Sequence, residues 1–262
     1  MSSPLFVVGA QRSGSTALAY ALSEAFDRKG GCFTVNGKLL YYARRWITVD
    51  DVRAQHLRTD EILHALARKP ATGRTASKWM ERVEWSLREA ARRVANEEVP
   101  ATREGVCALV RGLALDGYPT APWGDKYNEY LLDLEFLHEI FPGAKWLFLS
   151  RHPGEVREST HAWTGDRPWR PRTDEAIERR WVEWNVSWLS FRERVKPGRR
   201  LEVKYAELCS GRAADAIGRF ADVDLQGLVT MRRPLGDPPM IRTNRAQDMW
   251  TTLTANSLPE DI

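Results

Sequence analysis

Apolar positions along the chain form two kinds of pattern, short unbroken runs and long spaced stripes, and the two alternate. Leu5-Phe6-Val7-Val8 is an unbroken run ending at Gly9, which predicts a strand buried on both faces, as in a parallel sheet. Ala17, Leu18, Ala21, Leu22 and Ala25 then recur at helical spacing, predicting a helix from Thr16 to Ala25. Cys32 to Val35 reads as a second strand, with Asn36-Gly37 as its turn. Asp51 to Arg68 reads as one helix stopped before Pro70. Trp79, Val83, Leu87, Ala91 and Val94 make a helical stripe with charges opposite, and Arg103 to Leu115 reads as another helix. Residues 38–117 are therefore expected to be mostly helical.

A helix from Asp133 to Phe141 ends at Pro142-Gly143, and Ala144 to Ser150 predicts another buried strand. Pro153 suits the first turn of the helix that follows. Ile177, Trp181, Trp184, Trp188, Phe191 and Val195 fall three or four apart, so their tryptophans read as the core face of a long helix. Leu201 to Tyr205 is a further strand and Ala213 to Phe220 a short helix. Strands alternating with helices imply an α/β fold with a parallel sheet. No repeat or linker divides the chain, so one domain over residues 1–262 is expected.

Composition narrows this further. With 43% apolar and 28% charged residues, 262 residues suit one globular domain. The net charge is only +4, and the basic pairs Arg44-Arg45, Arg92-Arg93, Arg179-Arg180, Arg199-Arg200 and Arg232-Arg233 are scattered. They read as solvated helix faces, and no nucleic-acid partner is expected. Cys32, Cys107 and Cys209 show neither a disulfide nor a zinc pattern, and the five histidines show no ligand spacing, so no metal is expected. No apolar stretch is long enough to span a bilayer and no signal segment is visible, so a cytoplasmic chain without stable membrane insertion is expected. An excess of 31 Arg over 8 Lys leans toward a bacterial source.

The first strand runs directly into Gly9-Ala10-Gln11-Arg12-Ser13-Gly14-Ser15-Thr16. Unpaired backbone N–H groups and the helix dipole at such a helix start favour a bound phosphate or sulfate. Arg12 adds a forked cation, and Ser13, Ser15 and Thr16 add hydroxyls. Gly9, Gly14 and Thr16 match the spacing of a Walker A loop, but Ser15 stands where that motif has lysine. The strand at 144–149 also ends in Ser150-Arg151 rather than in an Asp. Both departures argue against nucleoside-triphosphate chemistry and leave anion binding intact, in a P-loop-like sheet.

At this point the chain resembles the sulfotransferases that use 3′-phosphoadenosine-5′-phosphosulfate (PAPS), near the branch of tyrosylprotein and many bacterial enzymes. Arg12-Ser13-Gly14-Ser15-Thr16 is similar to their 5′-phosphosulfate loop. Arg151 at a strand end and Ser159 in the next helix are similar to their 3′-phosphate motif, and a guanidinium can hold a phosphate bidentately. Trp123-Gly124-Asp125-Lys126 resembles the family segment that carries a lysine ahead of that motif. Val203 to Leu208 resembles the strand-Tyr signature, whose tyrosine, here Tyr205, contacts the nucleotide. The resemblance covers roughly residues 4–26 and 120–210.

What the resemblance implies is transfer of a sulfuryl group from PAPS to a hydroxyl or amine, leaving 3′-phosphoadenosine-5′-phosphate (PAP). The expected nucleotide-binding residues are Gln11, Arg12, Ser13, Gly14, Ser15, Thr16, Arg151, Ser159 and Tyr205. Arg242 joins them because family members often close a late basic loop over the nucleotide. Arg12 and Lys126 are expected to stabilise charge on the leaving phosphate oxygen. Asp125 is the nearest carboxylate for a base, with Asp50, Asp51 and His161 as other possibilities. The family's usual bases are missing: residues 28–49 hold no Asp or Glu, and Tyr127-Asn128 stands where cytosolic relatives have histidine.

A small molecule, lipid or sugar is the expected acceptor, shaped by the helical middle. Trp79, Trp85, Trp123, Trp163 and Trp169 are candidates to line its pocket. The stretch Arg167 to Arg172 reads as a surface loop or an active-site cover. Two alternatives stay open, a P-loop nucleotide kinase-like phosphoryl transferase and a non-catalytic anion-binding relative.

Overall fold

The computed structural model describes residues 3–164, 170–229 and 237–255. These residues form a five-stranded, all-parallel sheet in the order β2-β3-β1-β4-β5. The strands are β1 Leu5–Val8, β2 Cys32–Val35, β3 Trp123–Lys126, β4 Lys145–Ser150 and β5 Arg200–Lys204. Helix α1 (Ser15–Arg28) joins β1 to β2. Helices α2 (Leu39–Trp46), α3 (Val49–Arg53), α4 (Thr59–Arg68), α5 (Ala76–Ala95) and α6 (Arg103–Gly117) are inserted between β2 and β3. Then come α7 (Leu134–Ile140), α8 (Pro153–His161), α9 (Asp174–Arg192), α10 (Tyr205–Cys209), α11 (Ala214–Ala221) and α12 (Asn244–Thr254).

Alternation along the strands builds two core layers. Leu5, Val7, Phe33, Leu147, Leu149 and Val203 face α1, α10 and α11. Phe6, Val8, Trp123, Trp146 and Phe148 face the insertion, α7, α8, α9 and α12. The α9 stripe is core as expected, with Trp188 stacked on Phe148 at 4.7 Å between ring centroids. Trp79 is fully buried and Trp123 stacks on Tyr118 at 4.5 Å, so both are core residues and line no acceptor pocket. Trp85 is on the outer face of α5, 64% exposed.

The structure differs from the sequence reading at several places. The helix expected over Asp51–Arg68 is two helices, parted where Gln55 takes a left-handed φ of 55°. A 3-10 turn, Asn128–Leu132, precedes α7. Residues 123–126, which carry no apolar run, are an inner strand paired to both β1 and β2. Arg44 and Arg45 do not simply face solvent; both pair with the buried Asp133. Helix α12 is not among the helices expected from the sequence. Its approach is held by Glu178, fully buried, which accepts from Arg157 Nη1 (2.9 Å), the N–H groups of Arg242 and Thr243, and the Thr243 hydroxyl.

Candidate active site

In a parallel sheet all strands end on one edge, and ligands of such sheets bind there, where the strand order reverses. Here β1 is central, with β3 on one side and β4 on the other. The loop after β1, Lys126 at the end of β3, Arg151 after β4 and Tyr205 after β5 therefore share that edge.

The loop turns sharply. Arg12 has φ 68° and Gly14 φ 92°, and the Ser13 N–H bonds back to the Ala10 carbonyl at 3.2 Å. Gly9 has no room for a side chain, since a Cβ would meet the Leu149 carbonyl oxygen at 2.5 Å. Helix α1 then starts at Ser15 with Gly14 as its cap and no acidic residue in its first turn, leaving the positive end of the helix uncompensated. The Ser13 Oγ is buried and has no hydrogen-bond partner among the described residues. An anion with oxygens in the loop would satisfy it.

Lys126 supplies the cation that Ser15 does not. Residue 126 points to the α1 face of β3, and its Nζ donates to Thr16 Oγ1 (3.0 Å), Asn128 Oδ1 (2.7 Å) and Asn36 Oδ1 (3.3 Å). Lys126 is 1% exposed, and burial lowers its pKa to about 8. Asn128 donates in turn to the Gly9 carbonyl at 3.0 Å, tying the lysine to the loop. Asn36 and Asn128 were not among the expected site residues. Asn128 is one of the pair Tyr127-Asn128 compared with a histidine of cytosolic relatives, and it acts here as a brace.

Asp125 points the other way, as strand alternation requires. Its carboxylate accepts from Thr34 (2.7 Å), Tyr130 (2.7 Å) and the N–H groups of Gly37 (3.0 Å) and Lys126 (2.7 Å). Burial pushes its pKa up, and the Tyr130 and Thr34 hydrogen bonds oppose that.

A second cationic group lies at the α8 side of the loop. Arg12 Nε donates to Ser159 Oγ at 3.0 Å, and its guanidinium is 5.1 Å from the Trp163 ring centroid. Arg151 Nη1 donates to the Arg12 carbonyl (3.2 Å), its Nε pairs with Glu155 (3.0 Å), and its guanidinium lies over Tyr205 at 4.1 Å. Burial and then the charge of Arg151 lower the Arg12 pKa. Two guanidiniums facing one carboxylate leave an excess of positive charge that suits a phosphate. Arg12 thus groups with Arg151 and Ser159, whereas Lys126 groups with Thr16. Gln11, Arg12, Trp163, Arg170 and Trp184 line a cleft beside the loop. Of the stretch 167–172, residues 167–169 lie outside the described residues, Trp169 among them.

The remaining candidates are elsewhere. Arg242 Nε faces Asp174 at 3.7 Å, and its N–H bonds Glu178. His161 also pairs with Asp174, at 2.8 Å. Asp51 closes a capping box with Thr48, and Asp50 pairs with Arg53 on the surface.

Sheet order and loop together define an α/β protein of the P-loop-like class, with the loop and the cations meeting at its switch point. The sulfotransferase family model matches residues 4–225, and the chain belongs to the sulfotransferase family. Its fold is similar to that of the sulfotransferase domain from the Synechococcus PCC 7002 olefin synthase, with 20% identity, a TM-score of 0.61, and 98% of this chain and 96% of that one covered. It is also similar to the sulfotransferase domain from the curacin biosynthetic pathway, with 17% identity, a TM-score of 0.57, and 99% of each chain covered. No curated protein sequence gives a match. No described helix is long and apolar enough to cross a membrane.

Proposed function

We propose that the chain transfers a sulfuryl group from PAPS to an acceptor hydroxyl or amine. The observation that carries this reading is that two cation groups flank one anion loop, Lys126 on Thr16 and the Arg12–Arg151–Ser159 group on the α8 side. A donor with phosphate at both ends of a nucleoside matches that spacing of charge, and a triphosphate does not need the second group. The 5′-phosphosulfate sits in the loop, over the α1 N-terminus and against Lys126. The 3′-phosphate takes the Arg151 fork, with Ser159 and Arg12.

In sulfuryl transfer, negative charge grows on the phosphate oxygen that leaves. A buried ammonium fixed by three oxygens is already in place for that charge and does not have to reorganise. Asp125 holds β3 and the β2 turn in register and does not touch the reacting atoms. Arg242 fastens the C-terminal segment to α9. The insertion, with its partly buried tyrosines near the end of β3, bounds the acceptor side, which suits a small molecule, lipid or sugar.

Thermal stabilisation tests the reading. PAP is expected to raise the melting temperature and ATP with Mg²⁺ is not. The reverse result would sink the proposal in favour of phosphoryl transfer, and no response to either would favour a non-catalytic relative.

A further inference from the structure

The cleft beside the loop lies between α8 and α9, lined by Val156 and Thr160 of the first and Trp181 and Trp184 of the second. Ala10 and Arg12 bring the loop to it, and Trp163 and Arg170 join from the segment after α8. Glu155 and Ser159, one turn apart on α8, contact Arg151 and Arg12. Val156 and Thr160 are each the next residue, about 100° further around the helix. None of Arg151, Glu155, Ser159 and Tyr205 lines the cleft. It is therefore a separate compartment that shares only the loop with the Arg151–Ser159 group. Ala10 also accepts from Asn128 Nδ2 at 3.4 Å, and Asn128 holds Lys126, so the cleft meets the loop beside the brace of the lysine.

The lining is aromatic and cationic. The indoles of Trp163, Trp181 and Trp184 give flat apolar surface. Among the described residues the lining holds the guanidiniums of Arg12, Arg170 and Arg180 and no carboxylate. Carboxylates on the flanking helices are paired away from it, Glu155 with Arg151, and Asp174 and Glu178 with Arg157. Arg12 is engaged with Ser159. Arg170 differs. It is partly buried, its Nη1 donates to the Trp163 carbonyl, and among the described residues its Nε and Nη2 have no acceptor. These two nitrogens form the side edge of a guanidinium, which takes a carboxylate with two parallel hydrogen bonds. The same cleft reaches the loop at Ala10 and Arg12, so a ligand lying in it spans from that fork to the loop.

We propose that this cleft holds the acceptor and that the acceptor is a hydroxy acid. Its hydroxyl is presented at the loop, its flat apolar body lies among the tryptophans, and its carboxylate pairs with the Arg170 fork. The proposal deepens the sulfuryl-transfer reading above and rests on it for the identity of the reacting partner. It narrows the acceptor class, because a neutral alcohol of the same shape leaves the fork unpaired in an apolar setting, and a site built around a polar contact rejects the analogue that lacks it.

The test compares 4-(hydroxymethyl)benzoate with 4-(hydroxymethyl)benzamide, which has nearly the same shape without the charge. PAPS is the donor and PAP release the readout. Wild type is expected to prefer the benzoate by about 10- to 100-fold in kcat/KM, the worth of a charge-assisted pair. R170Q keeps an N–H donor for the Trp163 carbonyl and removes the charge, and it is expected to lose that preference. R170K keeps the charge without the fork and should recover part of it. Losses of the same size on both probes leave the preference intact; they would mark a structural role and overturn the assignment, as would a wild type without the preference. A fall in PAP affinity that matches the loss on the benzoate would place Arg170 on the nucleotide and overturn it as well. Direct titration of the benzoate separates the proposal from the donor reading. A chain that binds the benzoate through Arg170 but does not bind PAP overturns the donor reading and keeps the cleft. A chain that binds PAP but not the benzoate overturns the cleft.

Discussion

Arg12 and Ser159, 147 residues apart in the chain, are joined by a 3.0 Å hydrogen bond from Nε to Oγ. The bond bridges the first loop and α8, and Arg151 reinforces it by reaching the Arg12 carbonyl. A 3′-phosphate entering here exchanges a neutral acceptor for a charged one. R151A is therefore expected to weaken PAP binding by about 10- to 100-fold, the worth of one or two charge-assisted hydrogen bonds. S159A is expected to cost about tenfold on the same grounds. Adenosine 5′-monophosphate should bind both variants almost as it binds wild type, and titration calorimetry with the two nucleotides separates the cases.

Lys126 carries charge below about pH 8 and loses it above, because burial has lowered its pKa. The kcat/KM for PAPS, which reports the free enzyme, is expected to fall as pH rises through about 8. A bound phosphosulfate favours the charged form, so the matching limb in kcat should lie at higher pH. K126A should lose about 10²-fold or more in turnover, by comparison with lost oxyanion donors, and should show no such limb. A pH–rate profile of both chains checks the point, and wild-type-like turnover in K126A would remove the residue from the mechanism.

Asn128 accepts from Lys126 at 2.7 Å and braces the Gly9 carbonyl. N128D places a carboxylate against the ammonium. Lys126 should then stay charged to higher pH, moving the basic limb upward by about a unit or more. The same carboxylate cancels the field at the leaving oxygen, so turnover at neutral pH should fall although the lysine is protonated. A limb that does not move would mean that another group titrates there.

The Arg157–Glu178 pair is buried, and Glu178 also holds the backbone entry to α12. E178A removes the buried carboxylate from Arg157, which keeps Asp174 at 3.4 Å and the Met240 carbonyl, and frees two N–H groups, a change expected to cost about 2–4 kcal/mol. Thermal melts should register the loss, and limited proteolysis should find residues 237–255 newly accessible. Nucleotide affinity measured well below the melting point should change much less.

Much of the fold is legible in the sequence. The runs at 5–8 and 145–150 announced themselves because strands buried on both faces need no polar alternation. The loop and the Arg151/Ser159 spacing follow from chemistry that depends on local order. Strand β3 was hidden for the opposite reason. Its residues Asp125 and Lys126 are buried by hydrogen bonds and not by apolar character, and no hydropathy pattern shows that. The same blindness made Asp125 look like a candidate base, since adjacency to Lys126 says nothing about face until the segment is known to be extended. The 3-10 turn that follows β3 has no sequence signature of its own.

Strand β3 shows Lys126, the lysine at the loop, on one face and Asp125, which ties in the insertion, on the other. A slip of one residue against β1 and β2 would exchange the two, placing a carboxylate at the loop and an ammonium among Thr34, Tyr118 and Tyr130. Damage to the insertion that loosens this strand would therefore surface as failure to engage the nucleotide, at a point the altered residues never touch. On the proposed reading, changes that leave β3 seated are free to reshape the acceptor side, so the two halves of the reaction can diverge independently as long as four residues keep their alignment.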